Sequence, residues 1–207
     1  MADIEAVVFD IGNVLIEWQP ERFYDRVLGA ERRAALFASI DLHRMNDEVD
    51  RGAEFDATVT RWVEEHPDWA PEIQMWHDHW IDMAAPAIDH SVRLLRALRR
   101  NGVPVFALSN FGRETFEIGE AAYPFLEEFD RRFLSGEMGV TKPDPRIYER
   151  VEEGCGLPSE SLLFADDREE NVEAARIRGW RTHLFHSPEG WAGRLIDEGL
   201  LAPEDAE

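Results

Sequence analysis

The stretch VVFDIGNVLIEW, residues 7–18, carries an apolar run into one acid, Asp10, and then places Gly12 and Asn13 shortly after it. A short apolar run bounded by polar or turn residues is typical of a strand buried inside a parallel sheet. We predict this strand over residues 6–9, so that Asp10 lies at its carboxyl end. Ligands bind beyond the carboxyl ends of the strands in open α/β sheets, and Asp10 is therefore the first candidate for a functional residue.

The rest of the chain repeats this pattern of short apolar runs. We predict further strands over residues 103–108, 161–165 and 182–185 and a weaker one over 131–135, with helices over 88–100, 145–153 and 168–178 between them. Strands that alternate with helices predict the α/β class, with a parallel sheet, right-handed crossovers and helices on both faces.

The alternation is interrupted between Pro20 and about Pro86, where the sequence shows several helical patterns and no convincing strand. The interruption predicts a helical insertion after the first strand. Trp76 and Trp80 lie one helical turn apart within it, and we interpret them as a core-packing pair.

Composition excludes several classes of partner. The chain has 43 acidic and 22 basic residues, giving a formal charge of -21, which repels a polyphosphate backbone, so we expect no nucleic-acid partner. Cys155 is the only cysteine, so no intramolecular disulfide can form and a reducing compartment fits best. The sequence shows neither a signal peptide nor a long apolar segment. We expect a cytoplasmic monomer or homodimer without a membrane partner.

Polar side chains follow three of the predicted strands where each strand ends. Three carboxylates, a hydroxyl and an amide are thus delivered to one rim of the sheet: Asp10, Asp166, Asp167, Ser109 and Asn110. The carboxylates would repel one another unless a cation neutralised them, and hard oxygen ligands suit Mg²⁺. Lys142, in the loop GVTKPDPRIY, could bring a positive charge to the same rim.

Four stretches in this order, FDIGNVL, LSN, KPDPRIY and FADDREENVEAA, resemble the ordered motifs of the haloacid dehalogenase-like hydrolase superfamily, in its phosphatase branch with a helical cap. The resemblance implies a Rossmann-like core domain formed by residues 1–16 and 87–207 and a helical cap domain formed by residues 17–86. It also implies Mg²⁺-dependent phosphoryl transfer through an aspartyl-phosphate.

The resemblance further implies a role for each motif residue. Asp10 would be the nucleophile, Ser109 would hydrogen-bond the transferring phosphoryl group with Asn110 beside it, and Lys142 would stabilise the charge of that group. The Mg²⁺ ligands would be Asp10, Asp166, Asp167 and the backbone carbonyl of Gly12. Asn171 would orient Asp166 or Asp167 from the following helix.

The sequence departs from the motif at Gly12. Most phosphatases of the superfamily carry a second Asp two residues after the nucleophile, where it protonates the leaving oxygen and later activates water. Such general acid–base help is worth about 10²- to 10⁴-fold in rate. A glycine can still offer its carbonyl to the metal.

Three explanations for Gly12 remain open. Another group could supply the proton, the candidates being Glu17, His43, Asp47, Glu48 and Asp50. Alternatively, the leaving group could need less help, as in a sugar 1-phosphate, since FDIGNVL resembles the first motif of bacterial α-glucose-1-phosphate phosphatases. The third explanation is dehalogenation, because a departing halide needs no proton.

Two further functions compete with a phosphatase. Haloacid dehalogenases share the pair Lys142 and Tyr148, but they need no Mg²⁺ and have uncharged residues at the positions of Asp166 and Asp167. A catalytically weak binding or regulatory protein would explain Gly12, but the intact nucleophile, lysine and metal pair argue against it. We expect a phosphatase acting on a small phosphorylated metabolite, with a sugar phosphate favoured.

Overall fold

The computed structural model describes residues 3–206. Seven strands lie in this part of the chain: β1 (Ala6–Phe9), β2 (Ile16–Trp18), β3 (Ala84–Ala87), β4 (Val105–Ser109), β5 (Arg131–Leu134), β6 (Leu162–Asp166) and β7 (Arg181–Leu184). Five of them form a parallel sheet in the order β5-β4-β1-β6-β7, which confirms the predicted α/β class. The weaker strand predicted over residues 131–135 is the edge strand β5.

The sheet is buried on both faces because its strands are apolar at successive positions. Val7 and Phe9 belong to one hydrophobic cluster, whereas Ala6 and Val8 belong to the other. All four are fully buried. Successive side chains of a strand point to opposite faces, so the central strand β1 supplies both cores at once.

Helices cover both faces of the sheet and fill the insertion. Six helices lie between β2 and β3, namely α1 (Pro20–Leu28), α2 (Ala30–Ser39), α3 (Leu42–Asp50), α4 (Phe55–Glu65), α5 (Ala70–Asp78) and α6 (Trp80–Met83). Six more follow β3, namely α7 (Asp89–Arg100), α8 (Arg113–Ala122), α9 (Ser135–Met138), α10 (Pro145–Cys155), α11 (Glu169–Ile177) and α12 (Pro188–Asp197). Among the helices of residues 3–206, none is long and apolar enough to cross a membrane.

The prediction of no strand between Pro20 and about Pro86 is wrong only at the end of that range, where β3 begins at Ala84, and β2, just before the range, was not predicted. β2 and β3 pair in an antiparallel two-stranded sheet that carries the chain into and out of the insertion, with Ile16 opposite Ala87 and Trp18 opposite Ala84. Both strands are short, the register shifts between Ile16 and Trp18, and β3 contains Pro86. These features give no alternation of apolar and polar residues long enough to be seen in the sequence.

One buried core runs from the helical insertion to one face of the main sheet, and α7 and α12 cover that face. Tyr24, Leu36 and Trp76 from the insertion belong to the same cluster of buried residues as Val7 and Phe9 from β1. The opposite face is covered mainly by α10 and α11. The helical insertion meets the rest of the chain through contacts of α3 with α9 and of α6 with α8, the helices that follow β5 and β4.

Candidate active site

Asp10 directly follows β1 and is almost fully buried. Its Oδ1 accepts hydrogen bonds from the Ile11 amide at 2.7 Å and from Ser109 Oγ at 2.7 Å, and lies 2.9 Å from Lys142 Nζ. The predicted residues of the first, second and third motifs therefore meet at one carboxylate oxygen.

Lys142 is the only lysine in the chain, since every other basic residue counted with it is an arginine. Its side chain is 1% exposed, and Nζ donates to Asp166 Oδ2 at 2.6 Å and to the Leu108 carbonyl at 2.9 Å. A buried cation is stabilised only by close anions and acceptors, and these contacts provide them. Because the sequence has only one lysine, composition singles out Lys142 independently of the motif KPDPRIY.

Asn110 holds the backbone of Lys142 rather than pointing a free amide at a ligand. Its Oδ1 accepts from the Lys142 amide at 2.7 Å, and its Nδ2 donates to the Lys142 carbonyl at 3.0 Å. Both polar atoms of the predicted substrate-binding side chain are thus engaged. Asn110 positions Lys142 in this structure, although it also lines the cavity described below.

Asp166 is fully buried and is held by several donors besides Lys142. Asn171 Nδ2 lies 2.9 Å and 3.1 Å from its two oxygens, and the Arg168 amide donates to Oδ1 at 2.9 Å. The structure thus places Asn171 where the sequence predicted an orienting residue. Tyr148 donates its hydroxyl to the Asn171 carbonyl at 2.9 Å and holds the start of α11 against α10.

The turn after Asp10 explains the polar residues between β1 and β2. Asn13 has a φ of 54°, in the left-handed region that Asn tolerates better than most residues. Its Nδ2 donates to Asp167 Oδ2 at 3.1 Å, and its Oδ1 accepts from the Trp18 amide at 2.9 Å. Asn13 therefore ties the first motif to the fourth, a role that the sequence motifs did not indicate.

The three acidic side chains of the rim lie close enough to share a cation. One oxygen from each of Asp10, Asp166 and Asp167 lies within 4.8 Å of the other two. Carboxylate oxygens are ligands for Mg²⁺, and Gly12 lines the same cavity with its backbone. One lysine faces Asp10 and Asp166. The donor set fits a divalent metal because the single lysine leaves negative charge uncompensated.

The burial of these groups shifts their protonation equilibria. Burial raises the pKa of Asp10 to about 7, with Lys142 lowering it and Asp166 raising it further. Burial also raises the pKa of Asp167, against the hydrogen bond from Asn13. Burial would lower the pKa of Lys142, but the charges of Asp10 and Asp166 raise it above its usual value. Lys142 therefore remains a cation at neutral pH.

A cavity of about 460 Å³ opens above these residues between the sheet and the insertion. Four of the five candidate proton donors line it, namely Glu17, His43, Asp47 and Asp50. Glu48 is not among the described residues that line it and pairs with Arg61 instead.

The two tryptophans interpreted as a core-packing pair are both buried. Trp76 and Trp80 belong to the same hydrophobic cluster, which confirms their place in the core. Trp80 also lines the cavity, because α5 ends at Asp78 and the short helix α6 places this residue at the cavity wall. Trp80 therefore has a second role that its helical spacing from Trp76 did not indicate.

Asp50, at the end of α3, links the insertion to the loop after β4. Its Oδ1 accepts from the Gly112 amide at 3.1 Å, and Asn46 Nδ2 donates to its Oδ2 at 2.9 Å. Burial, followed by the charge of Asp47, raises the pKa of Asp50 well above its usual range. Asp50 is thus a cavity-lining carboxyl group that keeps its proton at a higher pH than an exposed aspartate does.

Two curated proteins have sequences similar to most of this chain. The chain is 36% identical over 189 residues to the sesquiterpene phosphatase of Aspergillus oryzae, covering 84% of this chain and 86% of that protein. It is 26% identical over 191 residues to the drimenol cyclase of Aspergillus calidoustus, covering 88% of this chain and only 34% of that protein. The chain therefore spans about a third of that longer relative.

Solved structures share the fold over nearly the whole chain. A HAD family enzyme of Bacteroides thetaiotaomicron, crystallised with magnesium and inorganic phosphate, matches with a TM-score of 0.71 at 24% identity, covering 93% of this chain and 99% of that one. The L-2-haloacid dehalogenase of Xanthobacter autotrophicus matches with a TM-score of 0.63 at 21% identity, covering 98% of this chain and 86% of that one. At these identities the likeness establishes the fold alone.

A family model settles the membership that the four motifs indicated. The description of that model is haloacid dehalogenase-like hydrolase, and it matches residues 4–177. This range includes every motif residue placed around Asp10 above. Because the match covers well over half of the chain, the protein belongs to the haloacid dehalogenase-like hydrolase family.

Proposed function

We propose that this hydrolase is a Mg²⁺-dependent phosphatase that cleaves a small organic phosphate through an aspartyl-phosphate on Asp10. The observation that carries the proposal is the meeting of five side chains at the carboxyl end of β1. Asp10 Oδ1 lies 2.9 Å from Lys142 Nζ and 2.7 Å from Ser109 Oγ, and Asp166 and Asp167 lie within reach of the same cation.

Each group has a chemical task in the proposed reaction. A carboxylate can attack phosphorus only when the charge of the phosphoryl oxygens is neutralised, and Lys142 supplies a fixed positive charge beside the attacking oxygen. Ser109 supplies a hydroxyl donor at the same place. Asn110 and Asn171 keep Lys142 and Asp166 in position, so the site is organised before substrate binds.

Mg²⁺ held by Asp10, Asp166, Asp167 and the Gly12 carbonyl would neutralise the phosphoryl group and orient it towards Asp10. The Bacteroides neighbour crystallised with magnesium and phosphate supports this assignment. Asp166 and Asp167 also argue against the dehalogenase alternative, since the displacement of halide from a 2-haloacid requires no metal cation.

We further propose that residues 17–86 act as a cap domain over a core formed by residues 1–16 and 87–207. Residues 1, 2 and 207 of this division lie outside the described residues. The cavity has the sheet rim as its floor and residues of α3 and α6 in its wall. An insertion that closes over the rim would exclude water while the phosphoryl group is transferred.

The proton that Gly12 cannot supply is assigned to Asp50 in this proposal. Asp50 lines the cavity, and burial raises its pKa well above the usual range, which favours the protonated form that a proton donor needs. Glu17 and His43 are less suitable because each is paired on the protein surface, with Arg22 at 2.8 Å and with Glu21 at 3.0 Å. A proton donor in the insertion would act only when the cap covers the substrate.

The names of the relatives support a phosphate ester as the substrate, but they differ in the organic group that carries the phosphate. They include an enolase-phosphatase, a phosphoserine phosphatase and the sesquiterpene phosphatase. The sugar phosphate favoured by the first motif stays a prediction.

The proposal is tested by measuring phosphate release from a panel of phosphate monoesters with Mg²⁺ and with a chelator, in parallel with halide release from 2-haloacids. We expect Mg²⁺-dependent phosphate release that Asp10→Asn abolishes. Asp197→Asn, an exposed change of the same type, serves as the control variant. Halide release without metal, or undiminished turnover by Asp10→Asn, would overturn the proposal.

A further inference from the structure

One side of the cavity is lined by apolar residues from four different elements. They form what we call the apolar arm: Ile16, Trp80, Ala84, Phe111, Gly119 and Tyr123. The arm is continuous, because the rings of Trp80 and Phe111 lie 5.4 Å apart and a Cβ on Gly119 would lie 3.5 Å from Phe111 Cζ. It begins next to Ile11 and Asp10, which line the same cavity.

The arm offers almost no hydrogen-bonding groups to a ligand. The hydroxyl of Tyr123 is already used, because it donates to the Ala84 carbonyl at 2.8 Å. The indole N–H of Trp80 is a buried donor without a partner among residues 3–206. A sugar placed here would leave most of its hydroxyl groups unpaired, and each unpaired buried hydroxyl weakens binding.

The polar residues on the other side of the cavity are engaged with the protein. Asn46 is bonded to Asp50 at 2.9 Å and accepts from Trp76 Nε1 at 3.3 Å. Asp47 lies 3.6 Å from Arg51. Glu17 and His43 are paired as described above. These polar groups already have partners within the protein, whereas the arm lines the same cavity with almost no polar group.

We infer that the substrate is a phosphate monoester of an apolar alcohol, with the phosphoryl group at Asp10 and the hydrocarbon part in the apolar arm. This inference rests on the proposed phosphatase function and specifies its substrate class. It competes directly with the sugar phosphate predicted from the first motif. Burial of the hydrocarbon part removes apolar area from water and binds the substrate without specific hydrogen bonds.

The test uses linear alkyl phosphates from ethyl to octyl, with glucose 1-phosphate as the polar comparator. Acetyl phosphate, an acyl phosphate with only two carbon atoms, is the small substrate whose leaving group needs no proton. We expect kcat/KM to rise with each added methylene, by up to about fourfold per fully buried group, until the arm is filled. Glucose 1-phosphate should react more slowly than octyl phosphate.

Filling the arm should remove this dependence on chain length. Gly119 lies on α8 with ordinary contact distances around an added Cβ, so Gly119→Ala is sterically accepted and Gly119→Leu extends into the arm. We expect Gly119→Leu to flatten the chain-length dependence, measured as the octyl-to-ethyl ratio of kcat/KM. Gly193→Leu, on α12 and with nothing within 4 Å of an added Cβ, is the matched control. If Gly119→Leu fails to fold, Gly119→Ala should still reduce the octyl-to-ethyl ratio.

The outcomes separate this inference from the proposed function. Turnover of acetyl phosphate together with a flat chain-length dependence, or with faster turnover of glucose 1-phosphate, overturns the inference and leaves the phosphatase standing. Absence of turnover with every ester overturns the phosphatase. In that case, calorimetric titration of the Asp10→Asn variant tests whether the apolar arm binds hydrocarbon. Octyl phosphate that binds no more tightly than ethyl phosphate would contradict the inference.

Discussion

Gly12 is the residue at which this chain departs from the phosphatase motif, and the structure shows that the backbone does not require glycine there. Its φ does not lie in the left-handed region, and a Cβ built on it would meet nothing within 4 Å. Gly12 also lines the cavity beside Asp10. An acidic side chain therefore has room at this position, and its absence removes a proton donor without any steric reason.

Gly12→Asp should therefore increase phosphatase activity. The variant adds an acid two residues after the nucleophile. Because Asp50 already supplies a proton in the proposed reaction, we expect a gain smaller than the about 10²- to 10⁴-fold that general acid–base catalysis contributes in full. We expect the gain with alkyl phosphates, whose alcohols leave only when protonated, and little gain with p-nitrophenyl phosphate, whose leaving group needs no proton. Gly12→Asn is the control of equal size without an ionisable proton. Equal rates for the Asp and Asn variants on alkyl phosphates would contradict the expectation.

Asp50→Asn should produce the opposite change. The amide keeps an oxygen that can accept from the Gly112 amide, so the link to α3 survives while the transferable proton is lost. We expect alkyl phosphate turnover to fall by about 10²-fold or more, with p-nitrophenyl phosphate turnover nearly unchanged. Adding Gly12→Asp to Asp50→Asn should restore part of the lost rate. A similar loss with both leaving groups would show that Asp50 only positions the loop after β4.

At the scale of elements, the end of α3 meets the segments after β4 and β5 at three glycines. A Cβ on Gly52 would lie 2.8 Å from the Gly136 carbonyl oxygen, and one on Gly112 would lie 2.5 Å from Val49 Cγ1. Ser135 completes the junction by donating to the Asp50 carbonyl at 2.5 Å and accepting from the Phe111 amide at 2.9 Å. The position of the insertion relative to Ser109 and Asn110 therefore depends on close backbone packing.

Gly136→Ala should disturb this junction and the active site together. Its Cβ would lie 2.8 Å from the Phe111 carbonyl oxygen and 2.9 Å from Gly112 Cα, so backbone atoms must move. Overpacking of this kind costs about 1–3 kcal/mol, which urea unfolding can measure. We expect kcat/KM to fall as well, because the same loop directly follows Ser109 at the end of β4. Gly193→Ala, on α12 with no close neighbour, should be neutral or slightly stabilising. Unchanged stability in Gly136→Ala would contradict this description of the junction.

The sequence predicted those elements whose residues carry a long enough pattern. The buried strands β1, β4 and β6 were recognised because each is apolar at nearly every position. The pair β2 and β3 was missed because its strands are short and irregular. Motif order placed Asp10, Ser109, Lys142 and both acids of the fourth motif at one rim, as the structure shows. Asn13 could not be assigned, because its contact with Asp167 spans 154 positions of the chain.

At the scale of the whole molecule, charge is concentrated in an unusual way. The chain has a formal charge of -21, yet its single lysine is buried among carboxylates at the centre of the site. The acidic surface attracts divalent cations without specificity and repels anionic substrates at low ionic strength. A measurement of metal binding must therefore distinguish binding at the rim of the sheet from binding at the acidic surface.

Mg²⁺ should stabilise the folded protein through the rim alone when salt screens the surface. A ligand present at about 100 times its dissociation constant adds about 2.7 kcal/mol to the free energy of unfolding. For a chain of this size, each kcal/mol raises Tm by about 2–4 °C, so we expect a rise of about 5–11 °C between chelator and Mg²⁺ at about 0.15 M NaCl.

Asp167→Asn should remove most of this rise. Among residues 3–206, Asp167 accepts a side-chain hydrogen bond from Asn13. Substitution of Asp167 should disrupt the fold less than substitution of Asp166, which is fully buried. Asp197→Asn removes the same charge from an exposed position and should keep the full rise in Tm. A second readout comes from isotope-labelled lysine, since Lys142 gives the only side-chain signal of its type and should shift when Mg²⁺ binds. An equal rise in Tm for Asp167→Asn and Asp197→Asn, with no shift of the lysine signal, would locate the binding on the acidic surface and contradict a metal site at the rim.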